Sequence, residues 1–157
     1  LQLLPIYDYA SIDETRNDQF NWGYDPLNYN VPEGSYATDP YDPVNRILEL
    51  KSAIKYLNDL GIRVIMDVVY NHVDDVSTHS FQKIVPGYYC RTNPDGSWAN
   101  GTGVGNEVAS ERSMVRKFIV ESATSMSVTS PNDLQISNWG GYSLGAGIHF
   151  LKFEYLL

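Results

Sequence analysis

The sequence predicts an α/β fold built on a parallel sheet. Three observations carry that expectation: an apolar strand exit at Leu1-Gln2-Leu3-Leu4-Pro5-Ile6, an amphipathic helix after Asp42-Pro43, and an almost wholly apolar run from Ile62 to Val69. Strand, helix and strand in this order form a βαβ unit, whose crossover helix covers one face of the sheet.

The elements follow in chain order. The opening run reads as the end of a buried strand, and because it starts at Leu1 without a methionine, sequence upstream is expected. Asp42 supplies an N-cap and Pro43 the first helical position, after which Val44, Ile47, Leu50, Ile54 and Leu57 recur at helical steps. Gly61 suits the cap that ends this helix. Ile62 to Val69 then reads as a strand buried on both faces. A second helix is predicted from near Ser110, with Val115, Phe118 and Ile119 on one face and Arg112, Arg116 and Lys117 turned away. The connections from Leu4 to the first helix and from Tyr70 to the second far exceed the ~2 to 6 residues usual between such elements. Both leave the C-terminal end of a strand, where parallel α/β proteins assemble their sites.

The last part of the chain differs in character. Only Asp133, Lys152 and Glu154 carry charge beyond Ser122, and the stretch is rich in Ser, Gly, Thr and Asn. It shows no sustained period before Ile148 to Leu157, so residues 1–122 and 123–157 are read as two regions, the second a divergent tail.

Composition narrows the function classes. The 157 residues, 43% hydrophobic and 19% charged, fit an ordinary globular chain. A net charge of −8 argues against general affinity for nucleic acid or an anionic membrane surface. No apolar run has the ~18 to 20 residues of a membrane span, and no signal-peptide pattern opens the chain, so a soluble protein is expected; the cytoplasm is favoured over secretion, which is neither required nor excluded. The single Cys90 reads as a small packed side chain. Asp74, Asp75 and His79 lack a defined ligand pattern and read as a solvated loop, so neither a metal nor a cofactor is expected. Asn100-Gly101-Thr102 fits a glycosylation acceptor, a pattern common by chance.

Candidate site residues cluster after the strands. Asp67 lies inside a buried run, where a carboxylate must be paired or hydrogen-bonded, either as a brace for neighbouring loops or as part of a site. Asn71 and His72 follow at the loop mouth, and the convergence of the three points to a site more strongly than any one does. The first loop carries Phe20-Asn21-Trp22-Gly23-Tyr24-Asp25-Pro26, and all of the twelve tyrosines except Tyr142 and Tyr155 lie before Ser122. A sugar ring needs an aromatic face for its C–H surface and short polar side chains for its hydroxyls, and this loop supplies both.

These residues resemble a known family. Asp67-Val68-Val69-Tyr70-Asn71-His72-Val73 is similar to the first conserved segment of the α-amylase superfamily of retaining glycoside hydrolases. The first-loop segment resembles the tyrosine-led YNWGYDP signature of type I pullulanases, with Phe20 as its departure. The likeness runs on through Asn28 to Tyr36, the helix before Gly61, Ile84 to Tyr89, Asn100 to Gly103 and Ala109 to Arg112, and covers residues 1–122.

The resemblance implies part of a (β/α)₈ TIM barrel, with long loops after two strands, from a debranching enzyme. Its partner would be an α-glucan such as pullulan, glycogen or a branched dextrin, cleaved at α-1,6 links. Tyr24, His72 and Trp22 would bind substrate, with Tyr24 stacking on the sugar and His72 bonding its hydroxyls, while Asp67, Asn71 and Asp25 would organise the loops. Retaining glycosidases need a nucleophile and an acid/base carboxyl ~5 to 5.5 Å apart. The family places both downstream, the first in a Gly-Phe-Arg-Phe-Asp strand, where this chain gives Ala123-Thr124-Ser125-Met126-Ser127-Val128. The expectation is therefore a chain with no catalytic residue of its own and a truncated or frame-shifted ending. A non-catalytic α-glucan-binding protein and a related branching or isoamylase-type enzyme stay open as alternatives.

Overall fold

The computed structural model describes residues 1–127 and the strand segments 134–137, 142–143 and 148–149. In chain order these form β1 (Gln2–Leu3), β2 (Tyr7–Tyr9), β3 (Pro26–Pro32), α1 (Pro43–Asp59), β4 (Val64–Asp67), α2 (Ser80–Ile84), α3 (Ser113–Ser127), β5 (Leu134–Ser137), β6 (Tyr142–Ser143) and β7 (Ile148–His149). The fold class is mixed α/β, as the sequence predicts.

The central sheet runs β1-β4-β5, all parallel, with Gln2 opposite Ile65 and Asp67 opposite Ser137. α1 links the first two strands and α3 lies between the second and third. The predicted cap is present: the Asp42 carboxylate accepts from the Val44 N–H at 2.9 Å, and Pro43 takes the first turn without a lost donor. After α1, Gly61 adopts φ +75°, a left-handed conformation that closes the helix and that side chains with a Cβ rarely take. α1 itself buries no residue fully, and Val44, Leu48 and Tyr56 stand in solvent, while Ile54 and Leu57 pack against the core.

Four differences from the sequence reading stand out. β4 is shorter than Ile62 to Val69, because Val68 and Val69 leave the ladder while staying buried. The first long loop contains an antiparallel pair, β2 with β3, whose register shifts on either side of Asp8. Its proline-bounded, asparagine-containing sequence hides the alternation that marks a strand. The helix predicted near Ser110 runs as α3 across Ser122 to Ser127, and β5, in a stretch read as lacking strand period, pairs with β4. Of the predicted period at Ile148 to Leu157, residues 148–149 form β7 and the rest lie outside the described residues.

The core joins Val64, Met66, Val68 and Tyr70 to Val115 and Ile119 of α3 and to Tyr7 of β2. A chain of buried hydroxyls crosses it. Ser122 Oγ donates to the Asn30 side-chain oxygen, so Tyr70 donates to Ser122, and the Tyr7 hydroxyl, 2.7 Å away, donates to Tyr70. This chain ties α3, the end of β4, β2 and β3 together. Cys90 is packed beside Val73 and Val76, and burial pushes its thiol up to about 11. Among the described residues no helix is long and apolar enough to cross a membrane.

Candidate active-site cleft

The site is built where β1 and β4 end. The first loop returns over the exit of β1 at Gly23, whose φ of +81° and closeness to Pro5 both demand glycine: a Cβ there would stand 2.3 Å from the Pro5 carbonyl oxygen. Asn21 and Asp25 fix the loop through Ser11 and Gly23. The Asn21 side chain accepts from the Gly23 N–H at 2.7 Å and donates to Ser11 Oγ at 2.8 Å, and Asp25 accepts from the Ser11 N–H at 2.7 Å. Tyr24 is thereby carried over the end of β4.

There the two loops meet. The Tyr24 hydroxyl donates to Asp67 Oδ2 at 2.7 Å, joining residues 43 positions apart. Burial first, and then the Asp67 carboxylate, push that hydroxyl up to about 12, so it remains a donor at neutral pH. Asp67 is 2% exposed, and its Oδ1 has no hydrogen-bond partner among the described residues. In this position the carboxylate holds Tyr24.

His72 braces the same loop. Its Nε2 lies 2.7 Å from the Tyr24 carbonyl oxygen and its Nδ1 2.8 Å from Asn71 Oδ1. A carbonyl only accepts, so Nε2 carries a proton. Burial pushes His72 below its ordinary value, against the Tyr24 carbonyl, Asp25 and Asp74, which pull it up. A neutral ring accepts at Nδ1, which assigns the Asn71 amide with its nitrogen, in place of its oxygen, toward the ring. The Tyr29 hydroxyl completes the brace by donating to the His72 carbonyl at 2.6 Å.

The structure thus brings Tyr24, Asp67, Asn71 and His72 together and places Asp25 behind the loop. Trp22 points outward and is 62% exposed. Of the loop read for metal chemistry, His79 is buried and caps α2, its Nδ1 accepting from the Phe81 N–H at 3.2 Å, while Asp75 closes a turn with Ser77. Sequence reasoning missed a different acidic set, Asp8, Glu14 and Glu33, whose oxygens approach within 4.8 Å. Those carboxylates have partners: Arg46 pairs with Glu14 at 2.6 Å, Glu33 accepts from the Tyr9 and Ser35 N–H groups, and Asp8 accepts from Asn28. No short spacing could have revealed that set, since its members lie on separate strands and loops.

Comparison with known proteins identifies the type. No protein-family model matches the chain. It is 52% identical over 122 residues to a pullulanase of Bacillus subtilis (strain 168), covering 77% of this chain and 17% of that one. It is 47% identical over 115 residues to the chloroplastic pullulanase 1 of Arabidopsis thaliana, covering 70% and 12%. The crystal structure of a Paenibacillus barengoltzii pullulanase in complex with maltohexaose and α-cyclodextrin superposes with a TM-score of 0.81 at 55% identity, covering 87% of this chain and 22% of that one. These similarities point to the pullulanase type of glycoside hydrolase. It spans about a sixth of the Bacillus pullulanase's length. The structural likeness to pullulanases covers a larger share of the chain than the 122 residues matched to the Bacillus sequence.

Proposed function

We propose that this chain forms part of the glucan-recognising side of a pullulanase-type cleft that acts on α-1,6 links in an α-glucan such as pullulan, glycogen or a branched dextrin. The observation that carries the reading is the Tyr24–Asp67 hydrogen bond at the mouth of a parallel sheet, braced by His72. It fixes an aromatic ring that is 38% exposed at the strand ends, the arrangement by which a protein presents a stacking face to a sugar. The complex of the Paenibacillus pullulanase with maltohexaose supports an α-glucan as the ligand class.

In this reading Tyr24 stacks on the sugar and Trp22 offers a second face beside it. Asp67, Asn71 and Asp25 act as positioning residues. His72 reaches a sugar hydroxyl by trading its Nε2 bond to the Tyr24 carbonyl for one to the ligand. The β1-α1-β4-α3-β5 order supports a place for the segment in a (β/α)₈ barrel, with residues 123–157 the region where the likeness to the family fades.

Hydrolysis by the retaining route requires two carboxyls facing one glycosidic bond, ~5 to 5.5 Å apart. Asp67 is engaged by Tyr24 and Asp25 by Ser11, so neither fills those roles. The isolated chain is inactive in this reading. Reducing-end release from pullulan, with the Bacillus subtilis pullulanase as positive control, tests it: none is expected, and release above background by the purified chain would overturn the assignment.

A further inference from the structure

The excursion between β4 and α3 is held at its turning point by a buried histidine. α2 has five residues, too few to be stable by itself. Its first turn is capped by His79, which is 4% exposed and whose Nδ1 accepts from the Phe81 N–H. The same ring packs against Phe81, at 5.1 Å between centroids, and against Tyr29 of β3, at 6.1 Å. Phe81 in turn stacks on Tyr89 at 4.2 Å and meets Phe118 of α3 edge-on at 4.8 Å. Cap and aromatic cluster thus share one imidazole, neutral and with its proton on Nε2.

Only that neutral form fits. A second proton, on Nδ1, would face the Phe81 N–H, donor against donor, and would place a charge among aromatic rings. The groups around the ring offer an imidazolium no charged partner. Tyr29 faces it from β3 as a neutral phenol whose hydroxyl is given to the His72 carbonyl. On its own loop Asp74 and Asp75 are exposed, and the Asp75 carboxylate is taken by Ser77. Lys83 of α2 carries the same sign of charge and is exposed, and α3 reaches the cluster through Phe118. Burial pushes His79 below the ordinary histidine value, with the Leu27 backbone pulling it back up. We infer that His79 is an acid-sensitive latch, whose protonation releases α2 and lifts Phe81 from Tyr29 and Phe118 while the parallel sheet stays folded. The latch borders the site, because Tyr29 also braces His72, and it stands independently of the α-glucan reading.

Amide hydrogen exchange on the isotope-labelled full chain, corrected for the intrinsic effect of pH, tests this. The Gln82 and Lys83 N–H groups donate to the His79 carbonyl and that of Val85 to the Phe81 carbonyl, so they report on α2. Their protection is expected to fall about tenfold from about pH 7 to about pH 5. Low urea should leave that exchange unchanged, as for a local opening, while the amides of β4 keep a higher protection that urea erodes. His79→Asn supplies a cap that takes up no proton, and is expected to abolish the fall at α2. In wild type the His79 ring, followed by its own resonances, should titrate below 6.5 and in step with the loss at α2. That second measurement decides the matter if the variant does not fold. No fall in wild type, a fall that persists in folded His79→Asn, exchange of α2 and β4 together, or a His79 midpoint at or above 6.5 would each overturn the latch.

Discussion

At the scale of single residues, the site is organised by bonds between groups far apart in sequence. Asp67, Asn71 and His72 were legible because they crowd the end of a recognisable strand, and Tyr24 because of its aromatic, polar loop. Their mutual bonds were not legible, since the Tyr24 hydroxyl and carbonyl meet Asp67 and His72 only after β1 and β4 are side by side. One consequence concerns pH. His72 and His79 are both pushed below the ordinary histidine value of 6.5, chiefly by burial, so the folded chain binds fewer protons than the unfolded one as pH falls. Their contribution is complete above 6.5 and is lost as pH drops through the depressed folded values. Urea midpoints should therefore fall between about pH 7 and about pH 5, and fall less steeply in a folded His72→Gln variant. Stability that is flat or rises over that range in wild type would contradict the buried neutral ring.

At the scale of elements, what the sequence made legible was what local chemistry encodes. Asp42, Pro43 and Gly61 mark both ends of α1, and the β-branched run marks β4. The antiparallel β2–β3 pair was hidden because Pro26, Asn28, Asn30 and Pro32 interrupt any alternation, and its bulges depend on tertiary contacts. The compositional change at Ser122 does not coincide with an element boundary. Ser122 sits within α3 and is 3% exposed, and its hydroxyl joins Tyr70 to Asn30. Ser122→Ala should cost about 1 kcal/mol in urea unfolding, because it removes the hydroxyl that joins the buried Tyr70 to Asn30. A loss under ~0.5 kcal/mol would show that the hydroxyl chain contributes little to holding α3 against the strands.

At the scale of the whole molecule, the described residues include a parallel sheet whose first strand is followed by α1 and whose second is followed by α2 and α3, and their loops gather at one end. α1 keeps much of its apolar surface in water, and Leu4 beside it is 50% exposed, so among the described residues this face of the segment is uncovered. Its function is accordingly read from the loop cluster and from its likeness to longer pullulanases. The most direct measurement is amide chemical-shift mapping of the isotope-labelled chain titrated with a branched α-glucan oligosaccharide. Saturable shifts concentrated at residues 20–25 and 67–72 are the expected result. Shifts centred on another surface, or none at saturating ligand, would contradict the assignment of this loop cluster to glucan recognition.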